Sequence, residues 1–167
     1  MWRWDLLPDD PAPIAAVYEA WSQPDKFAQW LAPAGFSMEF SAAEIRPGGE
    51  AHYRMGNGEL TMYGVVRYRE LVAPTRLVYT QQFCDAKGAV ARHTLAPTWP
   101  ETMLTVVELA AEGPAQTRVT ITWEPIGEVA PHELATFIEG RFGMMQGWTG
   151  SLDKLEAYFA AQGDGPR

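Results

Sequence analysis

The segment Pro131–Ala161, PHELATFIEGRFGMMQGWTGSLDKLEAYFAA, decides how the rest of the chain is read. Positions 134, 138, 141, 145, 148, 152, 155 and 159 follow a strict 4-3-4-3 spacing and hold Leu134, Ile138, Arg141, Met145, Trp148, Leu152, Leu155 and Phe159. That spacing predicts one long helix with these side chains on a single face, where Arg141 alone breaks the apolar set. A stripe of this length must be buried against something large.

Upstream the period falls from about 3.6 to 2, the signature of strands. Working back from the helix, Thr102–Ala110 and Thr117–Glu124 form a hairpin around Glu112-Gly113-Pro114-Ala115. Ala89–Pro100 carries two prolines and no clean period, so it reads as a loop. Arg76–Phe83 and Leu60–Leu71 are strands joined at Ala73-Pro74-Thr75, and two shorter strands carry Ala51, Tyr53 and Met55, then Phe36, Met38 and Phe40. Near the start, Trp2–Leu7 reads as a strand and Asp9-Asp10-Pro11 as the cap of a helix over Ala12–Trp21. A second short helix follows over Lys26–Leu31.

The order is strand, two short helices, six strands and a long helix. Short turns between successive strands predict an antiparallel meander. The concave face of a twisted sheet is the surface that can take the helical stripe. The expectation is an α+β helix-grip fold: a curved antiparallel sheet of about seven strands wrapped around a C-terminal helix. It forms one domain over residues 1–162, with 163–167 as a frayed tail.

Composition narrows the function classes. Of 167 residues, 47% are hydrophobic and 20% charged, which is a globular balance. The net charge of −8 and the absence of a basic run argue against nucleic acid and anionic membranes as partners. No stretch is long and apolar enough for a transmembrane helix. The start, Met1-Trp2-Arg3-Trp4-Asp5, lacks the pattern of a signal peptide, and one cysteine, Cys84, allows no intrachain disulfide. The expected compartment is the cytoplasm.

Few residues carry obvious chemistry. His52, His93 and His132 fall on a strand, a loop and a helix start without metal-ligand spacing, so neither metal nor cofactor is expected. Asp9 and Asp10 serve capping, and no nucleophile elbow or phosphate-binding glycine loop occurs. The inward aromatics say more. Strand parity turns Tyr53, Met55, Met62, Tyr79, Gln81, Phe83 and Trp123 toward the helix, opposite Met145 and Trp148. These residues, with Arg141, are the candidate lining of a ligand cavity.

Two observations set that candidate against a plain core. Buried tyrosines and a buried glutamine need hydrogen-bond partners, which a wet or liganded pocket supplies. A pocket of roughly 300 Å³ left empty would cost on the order of 7 kcal/mol, so such a pocket is hydrated, filled or collapsed. Arg141 has two readings: its head reaches the rim or pairs with Glu108, or it enters the pocket to fix a polar group of the ligand. Gly140, Gly143, Gly147 and Gly150 form a second stripe. It reads either as a bendable helix or as a close contact with a second subunit, the route to a homodimer.

Five blocks of the sequence resemble a known family. Val17-Tyr18-Glu19-Ala20-Trp21 with Pro24, Trp30 and Pro33-Ala34-Gly35-Phe36 is similar to its N-terminal signature. Arg46-Pro47-Gly48-Gly49, Gly64 and Pro74-Thr75-Arg76-Leu77-Val78-Tyr79-Thr80 resemble its central blocks, and Gly147-Trp148 with Leu152-Asp153-Lys154-Leu155 its closing helix. The family is that of the activator of heat-shock-protein-90 ATPase homologues, in the START-like superfamily that includes polyketide cyclases and birch-pollen-allergen relatives. Gln23, Leu31 and Ala32 depart from its pattern at one corner. The resemblance implies a helix-grip fold and leaves three functions open. These are non-catalytic binding of a small apolar or amphipathic molecule, a cyclase or hydrolase using Arg141 and the tyrosines, and interaction with a chaperone.

Overall fold

In the computed structural model of the protein, residues 1–6 and 12–163 are described. The Asp9-Asp10-Pro11 cap, the end of the first strand at Leu7 and the tail beyond Gly163 lie outside those residues.

Strand β1 (Trp2–Leu6) leads to helices α1 (Ile14–Ser22) and α2 (Pro24–Trp30). Five strands follow in an up-and-down path: β2 (Ser37–Ala43), β3 (Glu50–Gly56), β4 (Thr61–Val72), β5 (Arg76–Cys84) and β6 (Met103–Gly113). Strand β7 (Gln116–Pro125) completes the meander. The sheet has seven strands in the order β1-β7-β6-β5-β4-β3-β2, every pair antiparallel. Only β1 is out of sequence order: it pairs with the last strand, in register from Trp2↔Trp123 to Leu6↔Val119. This is the helix-grip fold.

Helix α1 buries Val17, Ala20 and Trp21, and α2 buries Phe27 and Trp30. Pro24 opens α2, where its missing N–H is no loss. Trp30 Nε1 donates to the Ala20 carbonyl at 3.0 Å, so the two helices share a polar contact inside an aromatic cluster. That cluster includes Trp21 edge-on to Trp30 with ring centres 4.5 Å apart.

The C-terminal segment departs from the expected single helix. It is two helices, α3 (Pro131–Glu139) and α4 (Arg141–Gly163), divided at Gly140. A Cβ at Gly140 would lie 3.2 Å from Trp99 Cζ3, so the absent side chain is where the 89–100 loop meets the helix. Across the break the stripe no longer points one way. Leu155 and Phe159 pack into the core, but Ile138 is 59% exposed and Met145 41% exposed. Helix α3 instead turns Glu133 and Phe137 inward.

Two hydrophobic clusters result. The larger gathers α1, α2, the C-terminal half of α4 and one end of the sheet. The smaller consists of Trp99, Met103, Trp123 and Phe137, with Phe83 and Met144 packed against it. Trp148 touches both.

Candidate functional site

A cavity of about 190 Å³ lies between the two clusters. Its floor comes from strand register. Tyr53 is opposite Gly64, and Gly64 opposite Phe83; Met55 is opposite Met62; Val66 is opposite Gln81, and Gln81 opposite Met103. Tyr79 is opposite Thr105, and Thr105 opposite Trp123. Residues two apart on each strand share a face, so these side chains converge on one side of the sheet. The roof is Met144, Gly147, Trp148 and Ser151 of α4 together with Leu31 and Pro33. The wall is His93, Trp99, Pro100 and Glu101.

Of the ten residues expected at the cavity, eight border it: Tyr53, Met55, Met62, Tyr79, Gln81, Phe83, Trp123 and Trp148. Arg141 and Met145 do not. Both are exposed, and the face of α4 that covers the cavity is carried by Met144, Gly147 and Trp148. The expected pairing of Arg141 with Glu108 is also replaced: Glu108 accepts from Arg76 at 2.9 Å. Met144, the neighbour of Met145, occupies the roof instead.

Gly64 shapes the polar end of the cavity. A Cβ there would sit 2.3 Å from Tyr53 Cζ and Oη, so the tyrosine ring lies directly across this glycine. Any side chain at position 64 would displace it. From that position Tyr53 Oη accepts a hydrogen bond from Gln81 Nε2. Burial pushes the Tyr53 and Tyr79 hydroxyls well above the ordinary tyrosine value, so both stay protonated.

The 89–100 loop supplies the wall that periodicity could not reveal. Phe83 and His93 meet edge to face at 4.7 Å. His93 Nδ1 accepts the Leu95 backbone N–H at 3.1 Å, which leaves the ring proton on Nε2. Burial pushes its pKa down, favouring the neutral ring. Arg92 fastens the loop to α3 by donating to the Trp99 carbonyl at 3.1 Å and to the buried Glu133 carboxylate. The other oxygen of Glu133 accepts the Ala130 N–H at 2.8 Å and caps α3. A large aromatic inside a proline-rich stretch, Trp99, is the signal in the sequence that this loop is packed.

At the opposite end, Lys154 Nζ donates to the Ala32 and Phe36 carbonyls at 2.7 and 3.2 Å, and Ser151 Oγ to the Leu31 carbonyl at 2.6 Å. These bonds fix α4 over the turn after α2. The Gly150 backbone lies against Ala34, within the same chain. Among the described residues no group of three or more His, Cys, Asp or Glu side chains is placed to hold a metal ion. No helix among them is long and apolar enough to cross a membrane.

The architecture recurs in solved structures. A protein from Chromobacterium violaceum is 26% identical, with 95% of each chain covered and a TM-score of 0.69. One from Arthrobacter aurescens is 21% identical over 95% of this chain and 86% of its own, with a TM-score of 0.77. An AHSA1 protein from Silicibacter pomeroyi is 18% identical over 96% and 99%, with a TM-score of 0.70. No curated protein matches the chain. The family model described as activator of Hsp90 ATPase homolog 1-like protein matches residues 11–160, and the chain belongs to that family.

Proposed function

We propose that the protein is a non-catalytic binder of a small, largely apolar molecule, held between the sheet and α4. The observation that carries this reading is the cavity between two separately packed clusters. The space is partly open to solvent and mostly apolar in lining, so the water that fills it makes few hydrogen bonds and is readily displaced by an apolar molecule. At 190 Å³ it is smaller than the roughly 300–1,000 Å³ of drug-sized sites, which sets the cargo at modest size. A single cysteine favours the cytoplasm as the place where the protein works.

Gly147 provides the test. It borders the cavity on α4, and a Cβ there would meet nothing within 4 Å. Gly147→Leu should therefore fill the space without a clash at its Cβ and raise helix propensity. Native mass spectrometry of the wild type, followed by titration with an apolar fluorescent dye, should show binding that Gly147→Leu abolishes while its thermal midpoint holds or rises. Equal dye binding by both proteins would place the dye outside this cavity and end the proposal.

A further inference from the structure

Resting on that reading, we propose that the cavity selects an uncharged molecule carrying one hydroxyl or carbonyl group, and discriminates against carboxylates such as fatty-acid anions. The lining divides into a large apolar surface and a small polar pole. At the pole Gln81 donates to Tyr53 Oη, which leaves the tyrosine hydrogen to be donated and the Gln81 carbonyl oxygen to accept. This pair answers a ligand hydroxyl or carbonyl without any ionic charge.

A carboxylate finds hydrogen bonds here, from the Tyr53 O–H and the His93 Nε2–H, but no positive charge. Among the described residues, neither lysine nor arginine borders the cavity, and its one ionised side chain is that of Glu101. The nearby cations are committed elsewhere: Lys154 to two backbone carbonyls, Arg92 to Glu133 and Trp99. His93 is the remaining candidate. Its burial disfavours the charged ring, and its Nδ1 is occupied by Leu95, so at neutral pH it offers an N–H and no positive charge. An anion at the Tyr53–Gln81 pole would give up hydration without a counter-charge, and one at the Glu101 wall would meet a like charge. A cation fares little better. Glu101 is exposed and 4.0 Å from Arg92, so its charge is already partly balanced and screened by water.

The experiment uses four probes with the same eight-carbon chain: 1-octanol, 2-octanone, octanoate and octyltrimethylammonium, each titrated into the intact protein at neutral pH and followed by calorimetry. Octanol and octanone should bind at least about tenfold more tightly than either ion, because each ion gives up hydration at the Tyr53–Gln81 pole without a counter-charge. Tyr53→Phe keeps the ring across Gly64 and removes the hydroxyl. It should weaken octanol and octanone by about three- to tenfold, and the loss of the acceptor for Gln81 should lower the thermal midpoint by a few degrees without unfolding the protein. Octanoate or the ammonium binding as tightly as octanol would overturn this inference and leave the cavity reading standing, as would a Tyr53→Phe protein with unchanged affinities. Binding of none of the four would remove both.

Discussion

The two halves of the C-terminal segment share one sequence period and have opposite fates. In the second half, Leu155 and Phe159 are buried at 2% and 9% exposure, with Trp148 and Leu152 packed partly against the same cluster. In the first half, Leu134, Ile138 and Met145 occupy equivalent positions and stand in solvent. Period alone does not separate them. What does is the set of contacts that fix each half: Ser151 and Lys154 tie α4 to the 31–36 turn, while Arg92, Glu133 and Trp99 tie α3 to the 89–100 loop. A 4-3-4-3 pattern shows that a helical face exists. Neighbouring polar contacts and a glycine break decide what it faces.

The largest effect should come from the residue that α3 does bury. Phe137 is 1% exposed and packs on Trp99 and Trp123 with ring centres 5.7 and 6.0 Å away. Phe137→Ala should destabilise the protein by about 3–5 kcal/mol, measured as the midpoint shift in urea. A loss under about 1 kcal/mol would mean that the smaller cluster adds little, and that the two halves differ in energy as well as direction.

Next in size is the clamp between the loop and α3. The Ala130 N–H, followed by the Arg92 guanidinium, holds the Glu133 carboxyl below its ordinary value. A carboxyl with a lowered folded pKa adds stability that is complete above its unfolded value of about 4.3 and is lost as pH falls through the lower folded value. The contribution should be about 1 kcal/mol, because Arg92 is partly exposed. Between neutral pH and pH about 3, the wild type should therefore lose more thermal stability than Glu133→Gln does. Parallel losses in the two proteins would show that this carboxylate does not fasten the loop.

Much of the fold was legible because each element announced its own period. The seven-stranded meander, the two early helices and the inward parity of Tyr53, Tyr79, Gln81 and Phe83 all follow from alternation and turn residues. The cavity's other wall has a single signal in the sequence, Trp99. His93, Trp99 and Glu101 lie in a stretch with no period, held by long-range bonds from Arg92 that leave no local trace in the sequence. Extrapolating one face through Gly140 puts Arg141 and Met145 at the cavity, but the closeness of Gly140 to Trp99 depends on a residue about forty positions away. Non-local contacts override local propensity at such points.

The smallest predicted effect tests that extrapolation most directly. Ile138 follows Phe137 in sequence, yet it is 59% exposed where Phe137 is 1% exposed. With a continuous helix laid along the sheet, position 138 would be core, and truncation to alanine would cost about 2–5 kcal/mol. With the helix divided at Gly140 and Phe137 turned inward, position 138 faces water, and the change should stay within about 0.5 kcal/mol. Alanine also has the higher helix propensity, which offsets part of the small packing loss. The pair Phe137→Ala and Ile138→Ala, measured by urea titration under identical conditions, thus reads out the orientation of α3 from two adjacent residues. A loss at Ile138 comparable with that at Phe137 would require α3 to rotate toward the sheet. That rotation would withdraw Glu133 from Arg92, release the loop wall and alter the cavity itself.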